Sequence, residues 1–283
     1  MQILLLLTSI SSVVLYNCLS NHVCKKRLSG PRQIQAYNII VYSVCLLAFG
    51  ALLLGGGMSL YTLLSGLLFG VVTALSAYYK MRALGSGPMH ITLLLTTSSM
   101  IIPTLSGVFF GESFSAGKLS MVFVLLFFIY LSLDRTDGTG VNRRWFLFCI
   151  PAFLLQGAIG VLQKIHQTSA YREEVSGFLF TAFACSFAWS WLRAGRGVKA
   201  ILPRGMTLAA TVTCGACTFA MNYINLRLSG VIPSQLFFPL INGSAIIASS
   251  LVSVTLFRET LTRRQLVGLV GGIAALIAIC LVP

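Results

Sequence analysis

Apolar runs of about twenty residues, separated by short clusters of charged and turn-forming residues, recur along the whole chain. Ten can be delimited, at roughly 3–21, 37–55, 60–80, 88–111, 115–133, 145–165, 175–192, 206–226, 233–257 and 264–282. A run of ~20 apolar residues crosses a hydrocarbon core as a helix, because in lipid every backbone polar group must find its partner within the segment. The pattern therefore predicts an all-α polytopic membrane protein with ten transmembrane helices. The separators are KKRLSGPR at 25–32, GGG at 55–57, GSGP at 85–88, DRTDGTGVNRR at 134–144 and RAGRGVKAILPR at 193–204. Only the 134–144 stretch reads as a linker, and it falls almost midway. It divides the chain into 1–136 and 142–283, each with five predicted spans. An odd number of spans per half places the halves in opposite orientations, as two inverted five-helix repeats.

The halves also echo one another residue by residue. Gly70, Tyr78, Arg82, Gly85 and Pro88 recur in constant register as Gly215, Tyr223, Arg227, Gly230 and Pro233. After a two-residue slip, Phe110, Glu112, Ser115 and Leu119 recur as Phe257, Glu259, Thr262 and Leu266. Matched leucines carry little weight in apolar sequence, but matched Gly, Arg, Pro and Glu carry more.

Composition agrees with a lipid environment. Of 283 residues 57% are hydrophobic and 9% charged, against ~25% charged in soluble domains. The net charge of +14 invites a nucleic-acid reading, but the basic residues are scattered through short corners with no basic helix face, so no nucleic-acid partner is expected. Instead they orient the chain. Sixteen of the twenty basic residues fall in the loops after the first, third, fifth, seventh and ninth segments; Lys118, Lys164, Arg172 and Arg227 lie on the other side. By the positive-inside rule both termini are then outside a cell membrane. Gly107-x-x-x-Gly111 and Gly268-x-x-x-Gly272 allow close helix packing, and with it a homodimer. The eight cysteines mostly lie inside apolar runs as small hydrophobes, including Cys214-x-x-Cys217. No metal or cofactor set and no enzymatic motif stands out.

Candidate chemistry lies in the spans. Small and polar residues spaced by three and four share one helix face: Thr92, Thr96, Ser99, Pro103 and Ser106; Thr211, Gly215, Thr218, Asn222 and Asn225; Gln235, Pro239 and Asn242; Gln156, Gly160 and Gln163. Ser and Thr often only bond back to their own helix. Buried amides are harder to satisfy beside lipid, so Gln163, Asn222, Gln235 and Asn242 point to a central, partly wet cavity. Pro103 and Pro239 sit mid-segment, where each can kink or break its helix. No carboxylate lies at mid-membrane. Lys164 is either an ammonium reaching for the interface or an anchor for an anionic or zwitterionic substrate. The expected substrate contacts are Tyr16, Asn17, Tyr78, Thr96, Ser99, Gln163, Lys164, Asn222, Tyr223, Gln235 and Asn242. Glu112 and Glu259 are expected as structural corner residues just ahead of the fifth and tenth helices.

The ten spans and their duplication resemble the drug/metabolite transporter superfamily of EamA type. The corners Gly111-Glu112-Ser113-Phe114-Ser115 and Arg258-Glu259-Thr260-Leu261-Thr262 look like that family's Gly-Glu-x-hydrophobic-Thr element, and Gln265-Leu266-Val267-Gly268 looks like its continuation. Arg258 departs from the glycine of the pattern. The resemblance implies a substrate cavity lined by helices 1, 3, 4, 6, 8 and 9 and alternating access, but it does not fix a cargo; the amide- and hydroxyl-lined stripes suit a small polar metabolite. A proton-coupled multidrug exporter and a non-transporting receptor or scaffold are the competing readings.

Overall fold

The computed structural model describes residues 2–27, 30–55, 57–84, 86, 89–113, 115–132, 143–257 and 262–282. The core of the connector (133–142), the Glu259 corner (258–261), Pro88 and Phe114 lie outside these residues, as do the side chains of His22 and His90. Among the described residues the chain is all-helical: α1 (Gln2–Arg27), α2 (Pro31–Leu53), α3 (Leu60–Leu84), α4 (Met89–Ser98), α5 (Ile101–Ser106), α6 (Ala116–Ser132), α7 (Arg143–Thr168), α8 (Val175–Ala194), α9 (Val198–Ile201), α10 (Met206–Ser229), α11 (Ser234–Phe257) and α12 (Arg263–Leu281). Each predicted apolar run holds a helix. Six of them (α1, α2, α3, α7, α8 and α12) are long and apolar enough to cross a membrane. The outer surface matches: Leu54, Phe109 and Leu192 are 93%, 89% and 77% exposed, which only a lipid surround makes inexpensive. This is a polytopic helical membrane protein.

Two details depart from the expected layout. The fourth segment is not one helix but α4, α5 and a 3-10 turn at Gly107–Phe110. Pro103 causes the break. It has no N–H for the Ser99 carbonyl and its ring crowds that group, so the chain tightens: the amide of Ile102 donates to Ser99 O at 3.0 Å instead. The separator at 193–204 contains the one-turn α9, which no apolar periodicity announces.

Glycines set the closest helix contacts. α3 packs on α7 and α8, and α10 packs on α1 and α2. A Cβ on Gly70 would lie 2.3 Å from the Ala182 carbonyl of α8, and one on Gly215 would lie 2.7 Å from Val44 Cβ of α2. One aromatic core joins α2, α3 and α8, with Phe49 stacked on Phe183 and Phe69 tilted against Phe178. A second joins α6, α11 and α12 through Leu125, Ile129, Phe237, Ile241 and Leu276. Of the two Gly-x-x-x-Gly pairs, Gly107 and Gly272 make close contacts inside the molecule, whereas Gly111 ends the 3-10 turn in a left-handed conformation, where a Cβ would meet nothing within 4 Å. Gly272 and its neighbour Gly271 meet Ile247 and Phe128, and Gly107 meets Glu112 and Ser234.

The chain alternates between a connector end, where α7 begins, and a far end. Charged side chains close helix termini across the structure, each with the sign the peptide dipoles favour. At the connector end Arg32 donates to Ala194 O (2.9 Å) and Arg196 O (2.5 Å), completing the C-terminus of α8. Arg264 donates to Tyr130 O in the last turn of α6 (3.2 Å). At the far end the Glu174 carboxylate accepts from the backbone and hydroxyl of Ser59, both at 2.8 Å, ahead of α3. Burial alone would raise the Glu174 pKa. Hydrogen bonds from Thr62 and Ser59, with His166 nearby, outweigh it and hold the carboxyl below its usual range.

Candidate functional site

The most strongly charged constellation in the interior lies at the far end, where α7, the corner after the 3-10 turn and the α10–α11 turn meet. Lys164 is 5% exposed and forms an ion pair with Glu112. Its ammonium also donates to the Ser229 carbonyl, at the C-terminus of α10, at 2.9 Å. Glu112 in turn accepts from the Ser234 backbone N–H (2.7 Å) and hydroxyl (3.2 Å), at the N-terminus of α11. The cation thus meets a negative helix end and the anion a positive one. Gly107 makes room for this: a Cβ there would lie 2.3 Å from Glu112 Oε2. Lys164 therefore neither reaches for the interface nor stands free as an anchor. Glu112 is a corner residue as expected, but the helix it caps is α11 and not α6.

The eleven expected substrate contacts fall into three groups. Gln163, Lys164 and Gln235 lie at the far end; Gln235 is 4% exposed and accepts from the Ser115 N–H at 3.1 Å. Tyr16 and Tyr223 pack against the first aromatic core, with Arg227 over the Tyr223 ring at 5.0 Å. Tyr78 lies towards the connector end beneath Arg193, at 5.8 Å. Between the ends, Thr96 and Ser99 donate to Thr92 O (3.0 Å) and Thr96 O (2.6 Å). Asn222 and Asn242 likewise donate to Thr218 O (2.8 Å) and Phe238 O (2.9 Å). Asn17 is half-buried on α1. The back-bonded hydroxyls of Thr96 and Ser99 have spent their one hydrogen and offer lone pairs, whereas each back-bonded amide of Asn222 and Asn242 keeps its oxygen and a second N–H.

Two of the helices expected to line a cavity, α5 and α7, are in direct contact in this structure. A Cβ on Gly157 would lie 2.4 Å from Ile102 Cδ1, and one on Gly160 2.8 Å from the Pro103 ring, so α5 and α7 touch where the stripes would part. Two hollows lie at the periphery of the molecule. One, of ≈ 510 Å³, is lined by Arg32, Gln33, Arg196 and neighbours at the connector end. The other, of ≈ 420 Å³, is a wholly apolar groove at Phe128, Leu266, Val267, Val270 and Gly271.

Sequence reasoning missed the Glu112–Lys164 pairing and the roles of Ser229 and Ser234. A signal was present: the far end carries only Lys118, Lys164, Arg172 and Arg227 against Glu112, Glu173 and Glu174, which leaves few partners for a buried ammonium. His166, near the end of α7, is fully buried, with its ring 4.3 Å from that of Phe178.

No protein-family model matches the sequence, and no curated protein matches it. One solved structure, described only as the crystal structure of a protein, matches with a TM-score of 0.70 and 16% sequence identity, covering 99% of this chain and 99% of that one. At that identity the likeness is one of fold, and it extends over the whole chain.

Proposed function

We propose that this protein is a secondary transporter of the drug/metabolite type, moving a small polar metabolite by alternating access between two inverted five-helix halves. The observation that carries the reading is an equivalence of contacts. Exchanging α1 with α7, α2 with α8, α3 with α10, α4–α5 with α11 and α6 with α12 maps the main helix pairs onto one another: α3–α7 onto α10–α1, α3–α8 onto α10–α2, and α5–α7 onto α11–α1. The echoed glycines Gly70 and Gly215 make their close approaches at equivalent places in this scheme. A pair of bundles related this way can rock against each other around a fixed central site. The fourth segment supports it further, being broken at mid-length beside buried hydroxyls, the kind of interruption that accompanies transporter binding sites.

In this reading the closed contact of α5 with α7 is one end of the transport cycle, and Asn222, Asn242, Gln163, Thr96 and Ser99 contact the cargo once the halves part. The connector end, richer in Arg and Lys, faces the cytoplasm and both termini lie outside the cell membrane. Uptake or counterflow in proteoliposomes, screening pooled amino acids, nucleotides, sugar phosphates and cationic dyes with and without a pH gradient, tests the function. Uptake of a polar metabolite that falls roughly tenfold in Asn222→Ala, the weight of about one hydrogen bond left unmade, is the expected result. Proton-driven movement of the dyes alone would replace it with multidrug export, and folded protein that moves nothing would leave a receptor or scaffold.

A further inference from the structure

We infer that the Lys164–Glu112 pair is a reversible latch that holds the far end closed, an inference that rests on the transport reading above. The pair ties together what must separate for that end to open. Glu112 rides on the corner that follows α5, whereas Lys164 rides on α7. α5 and α7 are the helices in contact across the closed stripes.

Three features make the tie suited to breaking as well as holding. First, separation does not orphan the buried cation. Lys164 keeps the Ser229 carbonyl at the C-terminus of α10, in its own half, so its charge stays on a helix end of complementary sign. Glu112 belongs to the other half and leaves Ser234 together with Lys164 when the halves part. A buried ion that loses its only partner is held in place by the cost of that loss; for Lys164 the second tie lowers it. Second, the pair is shallow and unevenly covered, with side chains 6% and 16% exposed. Water entering from the far end reaches the carboxylate first and takes over its solvation. Third, the backbone that carries Glu112 is irregular. The 3-10 turn Gly107–Phe110 runs into Gly111 at φ +74°, beyond the break between α4 and α5. A left-handed glycine between this 3-10 turn and the start of α6 can re-orient without melting a long helix. The Glu174 tie at the same end has no such character, since its hydrogen-bond donors at Ser59 are neutral. While the latch is closed, Glu112 occupies the ammonium of Lys164, so an anionic group on a cargo meets that ammonium only after release.

The test is accessibility. Ser106 is 8% exposed and sits directly before the 3-10 turn on the α5 side of the latch. In full-length protein with its native cysteines replaced, Ser106→Cys is labelled with a membrane-impermeant thiol reagent added from the far end. Lys164→Gln and Glu112→Gln should each accelerate labelling by about tenfold or more, the shift produced by removing ~1.4 kcal/mol of preference for the closed state. Lys164→Arg, which keeps the charge, should leave labelling slow. Equal rates in the folded Gln and Arg variants overturn the latch. So does failure of the Gln variants to fold while Lys164→Arg folds, since the pair then only maintains the structure. Labelling is read without substrate, so failure of the transport reading appears separately, as an absence of uptake in the parent protein.

Discussion

At the scale of single residues, the acidic side chains of this protein do local electrostatic work that their positions in loops disguise. Glu174 illustrates it. Its carboxylate caps the start of α3 from the turn between α7 and α8, and its pKa lies below the usual range because Ser59 and Thr62 bond the charged form more strongly than burial disfavours it. A group whose folded pKa is depressed contributes stability that is complete above its unfolded pKa and is lost as pH falls through the folded value. Glu174→Gln should therefore lower the detergent melting temperature at neutral pH. The difference between variant and parent should shrink as the pH falls below the ordinary glutamate range and through the depressed folded pKa, where the parent carboxylate protonates as well. A difference that stays constant down to acid would show that the cap does not depend on charge. The sequence made the loop position of Glu174 plain but not its partner, because Ser59 and Glu174 are brought together only when the α2–α3 and α7–α8 turns meet.

Elements are where the sequence was most legible. Apolar runs bounded by charged or glycine-rich corners located every long helix, since in lipid the length of an apolar run and the length of a helix are set by the same thickness. A local cap closes the start of α12, where Thr262 and Gln265, three residues apart, bond reciprocally; sequence reasoning did not single it out. Breaks were harder. Pro103 and Pro239 read alike, yet α11 runs through Pro239 and the fourth segment parts four residues ahead of Pro103. Each proline lacks the N–H that would reach the carbonyl four residues back, so the local pattern alone does not say which of the two helices breaks. Glycine contacts give a test at this scale. A methyl on Gly70 would meet the backbone of α8 and one on Gly215 would meet Val44 of α2, whereas one on Gly55 would meet nothing within 4 Å. Gly70→Ala and Gly215→Ala should each cost about 1–3 kcal/mol, as expected for overpacking, with Gly55→Ala near neutral; thermal unfolding in detergent distinguishes them. A neutral Gly70→Ala would mean that α3 and α8 can move apart at no cost, contrary to the packing described.

For the whole molecule, charge predicted side but not partnership: sorting basic residues by loop separates the two ends, while the Lys164–Glu112 pair joins residues on different halves. The same is true of the trans caps as a set. Glu112 from before the connector completes the N-terminus of α11 after it, and Arg32 completes α8. In return Glu174 completes α3, and Arg264 bonds the last turn of α6. Each half thus leaves helix ends that only the other half finishes. For a chain threaded into the bilayer from its N-terminus this sets an order of events. The first five segments emerge with the α3 and α6 ends still awaiting their partners, and they settle only when the later segments arrive. Cutting the gene within 133–142 and producing the two fragments separately should give short-lived, protease-sensitive products, whereas producing them together should recover a complex that co-purifies and melts within a few degrees of the intact chain. A first fragment that is stable by itself would show that these borrowed termini matter little to how the protein is made.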